Sequence, residues 1–278
     1  MAKRSREELD ALAAGLYQIV EQLRPMTIRS LFYRAVSAGL VAKTEHEYKG
    51  IVRITGKMRK QRIMPFEWLV DAGRFVRQAN LWPSPQSILK ATQDQYRYDR
   101  WIDQENRVEI WVEKDAVVGV IEETCEEFGV PLYSCKGYPS LSLIDSAIRD
   151  WPFEKNICVR YFGDHDPSGM DIPRYLENAF YEIGVGQNTL DFEVRAVTQD
   201  QIYEYDLPTR PTKRTDSRSA NFEGESVELD AFDPNDLREL VSQSIQESID
   251  DELWAESGEK EEEQHQKLNK AIDDMGEI

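Results

Sequence analysis

Three carboxylates and one tyrosine are the residues of this sequence whose types and spacing best fit chemistry. Glu113 closes the apolar run VEIWVEK, Asp164 closes a second run, NICVRYFGD, and Asp166 follows in the turn-forming GDHDPSG. If both runs are strands of one parallel sheet, the three carboxylates converge at the carboxyl ends of the strands, where such sheets bind ligands. Magnesium takes a few carboxylates and fills its shell with water and phosphate oxygens, so this set suits it. A metal held this way stabilises charge on a phosphodiester during displacement. The plainer alternative for the DxD is a turn of solvated aspartates or an N-cap for the next helix. Lys114 is placed to contact phosphate. Asp115 reads equally as a helix cap or a further ligand, and His165 flanks the loop without binding metal.

Tyr33 belongs to a helix whose apolar face is Ile28, Leu31, Phe32, Ala35 and Val36. It lies off that face, in line with Arg29 and Ser37 at i, i+4 and i+8. A presented phenol beside a guanidinium suits attack on phosphate, with the oxygen as nucleophile and Arg29 or Arg34 neutralising the developing charge. The alternative is a ring packed against the neighbouring domain. The next helix carries Lys49, Arg53, Lys57 and Lys60 at spacings of 4, 4 and 3, with Tyr48, Val52 and Thr55 near its packing side. The four cations read as a stripe along DNA phosphates or as a solvated basic face.

The elements that must position these groups follow from periodicity. Residues 5–24 predict a helix. Thr27 caps a second, running to Ser37 and stopped by Gly39, and Thr44 with Glu47 forms a capping box for a third over 45–61. With IMPFEWLV as a closing strand, this is the winged-helix plan, a helix-turn-helix variant. Residues 1–80 are taken as that domain. The polar, proline-broken stretch 81–106 is read as a linker. From 107 to 250, strands alternate with helices (about 115–128, 140–150, and DIPRYLENAFYEI), which predicts βαβ units and a parallel sheet flanked by helices. Residues 251–278 read as an acidic, solvated, partly helical tail. Residues 185–245 say little beyond a helix near 236–250 and a basic loop, 209–224, near DNA (Arg210, Lys213, Arg214, Arg218).

The formal net charge of −18 argues at first against DNA. Its distribution reverses that: residues 1–80 hold 15 basic and 8 acidic residues, net +7, and the remainder 19 and 44, net −25. This asymmetry fits a DNA-facing front on an acidic body. Three cysteines without CxxC spacing predict reduced thiols and exclude a disulfide framework. Three scattered histidines give no zinc cluster. No apolar run reaches membrane length and no signal peptide is visible, so a cytoplasmic, nucleoid-associated protein without a membrane partner is expected.

These segments together resemble one family. IRSLFYRAVSAGL is similar to the nucleophile helix of the topoisomerase VI A subunit and of the related meiotic double-strand-break transesterases, with Arg29, Phe32 and Tyr33 matching its pattern. VEKDA at 112–116, KGYPSL at 136–141 and GDHDPSGMDI at 163–172 resemble the Toprim metal domain of the same proteins, with Glu113, Asp164 and Asp166 at the ligand positions. The likeness covers most of residues 20–180 in the same order. The spacer is short, Phe32 replaces the first of a tandem tyrosine pair, and there is no GHKL-type ATPase region, so the compact mini-A branch carried by mobile elements of archaea and bacteria matches best. The resemblance implies a CAP-like winged-helix domain followed by a Toprim domain. It also implies Mg²⁺ dependence, cleavage of double-stranded DNA through a 5′-phosphotyrosyl intermediate on Tyr33, and a prokaryotic or viral host. It further implies a homodimer in which Tyr33 faces the partner subunit's metal site, and it leaves room for a separately encoded ATPase partner. A hydrolytic Toprim nuclease using metal-activated water, with Tyr33 structural, is the alternative. A DNA-binding relative that no longer cuts is a third.

Overall fold

The computed structural model describes residues 4–70, 81–152, 154–184, 189–211 and 224–275. The first helix, α1 (Arg6–Leu23), starts at a reciprocal cap in which Ser5 and Glu8 each bond the other's backbone N–H, and buries Leu12, Leu16 and Val20 at one-turn intervals. β1 (Met26–Thr27) leads into α2 (Ile28–Ser37), with the Thr27 hydroxyl accepting from Ser30 N. α3 (Glu45–Lys60) is capped by Thr44, which accepts from Glu47 N. Only half of the expected capping box forms, because the Glu47 carboxylate is drawn 2.7 Å from Arg4 instead. The closing run supplies β2 (Leu69–Val70), which pairs parallel with β1.

The main sheet is parallel, in the order β4 (Leu132–Ser134), β3 (Asn106–Val112), β5 (Asn156–Phe162), β6 (Thr189–Ala196). Alternation along the strands loads both faces. Val108, Ile110, Val112 and Phe162 join a core shared with α1–α3, α5 (Asp115–Glu127) and α9 (Pro234–Gln246). Trp111, Ile157, Val159 and Tyr161 pack on the other side against α6 (Leu141–Arg149) and α7 (Pro167–Ile183). The chain leaves β3 through α5 towards β4, then returns through α6 to β5 on the far side of β3. Successive crossovers therefore diverge between β3 and β5, and a crevice opens at their carboxyl ends. The α/β class and the helix-flanked parallel sheet match the sequence reading.

Two segments differ from it. The stretch read as a linker holds α4 (Pro85–Gln95) and then docks: Trp101 is 1% exposed and donates through Nε1 to Phe128 O at 2.7 Å. The acidic end is no solvated tail. It is one continuous helix of 25 residues, α10 (Asp251–Met275). Its inner side carries Trp254 against the Trp101 ring, Glu261 paired with Arg100 at 2.8 Å, and His265 against Tyr96. The other described acidic residues of this helix face outward, so composition hid an aromatic seam. α8 (Gln199–Glu204) completes the described helices. No described helix is long and apolar enough to cross a membrane. Cys125, Cys135 and Cys158 are free and buried, as reduced thiols should be.

Candidate active site

Glu113 follows β3 directly, and its N–H still donates to Phe162 O, so its backbone prolongs the ladder by one residue. Its carboxylate crosses the crevice and accepts the Asp164 N–H through Oε2 at 2.9 Å. The crossing needs space at Gly163, where a Cβ would lie 2.9 Å from Glu113 Oε2 and closer still to the Tyr161 ring. Gly169 is required more strictly, since a Cβ there would lie 1.9 Å from Asp164 O. Asp164 accepts from Leu229 N at 3.0 Å through Oδ1 and pairs with Lys114 at 2.7 Å through Oδ2. Burial pushes the Glu113 carboxyl up to about 7, and the neighbouring Asp164 charge adds to this. Burial likewise raises Asp164, opposed by Lys114.

Asp166 is the cap allowed for in the sequence. Its Oδ1 accepts from Ser168 N and Gly169 N at 2.9 and 2.8 Å, opening α7, while Oδ2 lies 3.4 Å from Arg210. Asp115 is the first residue of α5 and pairs with Lys136 at 2.8 Å. His165 is buried beside Val197 O and exchanges both backbone hydrogen bonds with Val227, which places it as a flank of the loop.

Tyr33 is not presented to solvent. It is 3% exposed, because residues 226–231 lie over the polar side of α2. The helix period located the apolar stripe correctly, but the opposite side is covered too, by chain almost two hundred residues away. The phenol donates to Glu228 Oε2 at 3.2 Å. Arg29 reaches the same carboxylate at 3.1 Å, and Arg210 holds its other oxygen at 2.6 Å. Burial, then the Glu228 charge, push the Tyr33 hydroxyl up to about 12, against the opposing pull of Arg29. Glu228 is itself held below the ordinary carboxylate range: Lys114, Arg29 and Arg210 outweigh its burial. Arg34 does not share in this. It donates to Ala231 O at 2.6 Å and faces Asp233, bracing α2 against the covering segment.

Glu228, Asp230 and Lys43 are site residues that the sequence does not single out, and Arg210, read from sequence as part of a basic loop near DNA, joins them. Asp230 accepts from the Thr27 hydroxyl at 2.6 Å and lies 3.9 Å from Lys114. It thereby ties the start of α2 to the crevice. Lys43 stands 5.4 Å from the Tyr33 ring centre and bonds Thr209 O. The available signal was the alternation in VELDA, where Val227, Leu229 and Ala231 are buried apolar residues and Glu228 and Asp230 lie between them. Arg210 belongs to the predicted basic loop. Lys213, Arg214 and Arg218 of that loop lie outside the described residues.

Lys49, Arg53, Lys57 and Lys60 form an exposed basic face on α3, and Lys49 lies 3.6 Å from Glu45. The packing side is Glu47, Ile51, Thr55 and Met58. Val52 is 40% exposed and belongs to the outer side, contrary to expectation.

Among the described residues no three His, Cys, Asp or Glu side chains are grouped to hold a metal ion. The donor chemistry nonetheless fits magnesium. Glu113 and Asp164 are adjacent, buried and mutually repelling, a charge conflict that a divalent cation relieves, and magnesium is commonly held by one or two carboxylates with phosphate oxygens and water. Scans against models of known protein families and against curated proteins found no match.

Proposed function

We propose that this chain is a magnesium-dependent DNA-cleaving protein of the topoisomerase VI A kind, with α1–α3 as a winged-helix unit and residues 107–250 as a Toprim domain. One observation carries the reading. The Tyr33 hydroxyl sits 3.2 Å from Glu228, and the next residue, Leu229, donates to Asp164 at the end of β5. Phenol, guanidinium and carboxylate crevice are therefore linked through two adjacent residues, Glu228 and Leu229.

In this reading α3 lies along the duplex, its four cations neutralising phosphates. Arg29 and Arg210 turn from Glu228 to the scissile phosphate, and Arg29, with 44% of its side chain exposed, is open to it. Lys114 exchanges Asp164 for a phosphate oxygen. Glu113 and Asp164, with Asp166 at the rim, would hold Mg²⁺, which would supply Lewis-acid stabilisation of the phosphodiester charge. The Tyr33 oxygen is the nucleophile, leaving the 5′ phosphate on the protein. The resemblance implies a site shared between subunits; contact of Tyr33 with its own chain's Glu228 favours a site completed within one chain. Two copies are still needed to cut both strands symmetrically.

A second reading has its own support. A buried phenol raised to about 12 is a poor nucleophile, which favours metal-activated water and a structural Tyr33. The two separate on a denaturing gel. The transesterase leaves DNA covalently attached in Mg²⁺ and none in chelator, and peptide mapping after nuclease digestion places the remnant on Tyr33. Strand breaks without attached protein identify the hydrolytic nuclease, and the absence of any break leaves the non-cleaving relative.

A further inference from the structure

We propose that Glu228 is the proton acceptor that activates Tyr33, a catalytic residue outside both the tyrosine helix and the metal crevice; this rests on the transesterase reading above. The acceptor facing the phenol is settled by geometry. Glu228 Oε2 lies 3.2 Å from the Tyr33 hydroxyl, on a backbone fixed by two-way pairing of Val227 with His165 and of Ser226 with Arg210. The other groups around the phenol do not serve. Arg29, Lys43, Lys114 and Arg210 are cations, Glu113 and Asp164 are assigned to the metal, Asp230 is engaged by Thr27, and His165 is turned to Val197 O. Tyr48 of α3 lies under Arg29, and Asp166 caps α7.

A buried phenol is not ionised at neutral pH, so its proton has to leave as the new bond forms. Here the O–H bond of Tyr33 breaks and its proton passes to Glu228 Oε2. The phenolic oxygen bonds to phosphorus, the P–O3′ bond breaks, and the 3′ oxygen leaves with the electron pair and takes a proton from solvent. Phenol and phosphodiester become aryl phosphodiester and alcohol, with no co-reactant. The two arginines fit the same sequence of events. While they grip Glu228 its carboxylate is a weak base, and when they turn to the incoming phosphate it becomes a stronger one. DNA arrival thus switches on the base.

The test measures single-turnover adduct formation on a DNA duplex with Mg²⁺, using the full chain, Glu228→Gln, and both again with difluorotyrosine, a more acidic phenol, at position 33. Glu228→Gln should slow adduct formation by about 10²-fold, within the usual range for a general base, with DNA binding retained. The fluorinated phenol should recover about tenfold of that loss in Glu228→Gln and change the parent by less than about threefold. A structural role for Glu228 predicts no recovery. Full-rate adduct formation by Glu228→Gln, or a folded variant left unrecovered by the acidic phenol, overturns the proposal while the parent's adduct upholds the transesterase reading. If Glu228→Gln does not fold, the parent pair decides: weak sensitivity to phenol acidity supports the base, and a tenfold rise overturns it. A parent that forms no adduct overturns both readings.

Discussion

The polar side of α2 and the outer face of α3 look alike in sequence and end in opposite environments. Each follows from a 3.6-residue period, and each sets cations opposite an apolar stripe. On α3, Lys49, Arg53, Lys57 and Lys60 remain in solvent. On α2, Tyr33 is sealed beneath residues 226–231, and Arg29 and Arg34 are bound to Glu228 and Ala231. Periodicity reports the side of a helix that meets its own unit. It does not report what the rest of the chain lays over the other side. One face is therefore open to solvent, and the other is a covered polar surface whose charges already have partners.

The largest effect that would test this contrast is in the carboxylate crevice. Glu113→Gln or Asp164→Asn should take Mg²⁺-dependent cleavage below detection while leaving duplex affinity close to that of the parent, because the proposed function assigns affinity to α3. A cleavage loss matched by an equal loss of binding would merge the two regions into one. Next comes the assignment of the site to one chain. Verified heterodimers of Tyr33→Phe with Glu113→Gln should recover no activity, since one chain lacks the phenol and the other the metal site. Recovery to about half of the parent would place Tyr33 across the subunit interface.

On α3 the expected effect is graded. If about four phosphates are neutralised, log affinity should fall with log salt at a slope of roughly −3.6, and alanine at all four positions should flatten it. The same variant should unfold within about 0.5 kcal/mol per substitution of the parent, as exposed changes do. An unchanged slope would remove α3 from the interface.

The smallest effect lies away from both regions, at Glu109 under the sheet. Its carboxylate accepts from the Trp111 and Trp151 indoles at 2.9 and 2.8 Å, yet burial pushes it up from 4.5 to about 7. The folded chain therefore binds this proton more tightly than the unfolded chain does. The resulting stabilisation is complete below about 4.5 and is lost as pH rises through 7. Raising pH from 6 to 8 should lower Tm more in the parent than in Glu109→Gln, by thermal unfolding at both pH values. Equal shifts in the two proteins would show that Glu109 stays charged throughout.

Local signals read well in this sequence. Thr27 and Thr44 cap the helices that the sequence assigns to them, and the strands before Glu113 and Asp164 pair side by side. What stayed hidden depends on distant chain. Trp254 folds the acidic end back onto Trp101, although outward-facing charges dominate its composition. Glu228 and Asp230 become site residues only because Val227 pairs with His165, a contact between segments that no local period connects.

The central claim is that the Tyr33 oxygen attacks the phosphodiester. Tyr33→Phe keeps the ring in its buried place and removes that one oxygen, at about 1 kcal/mol in stability. With labelled duplex, Mg²⁺ and denaturing electrophoresis, the account predicts that cleavage and covalent adduct vanish together in this variant while duplex binding survives. A well-folded Tyr33→Phe protein that still cuts DNA in Mg²⁺, leaving no protein attached, would contradict it.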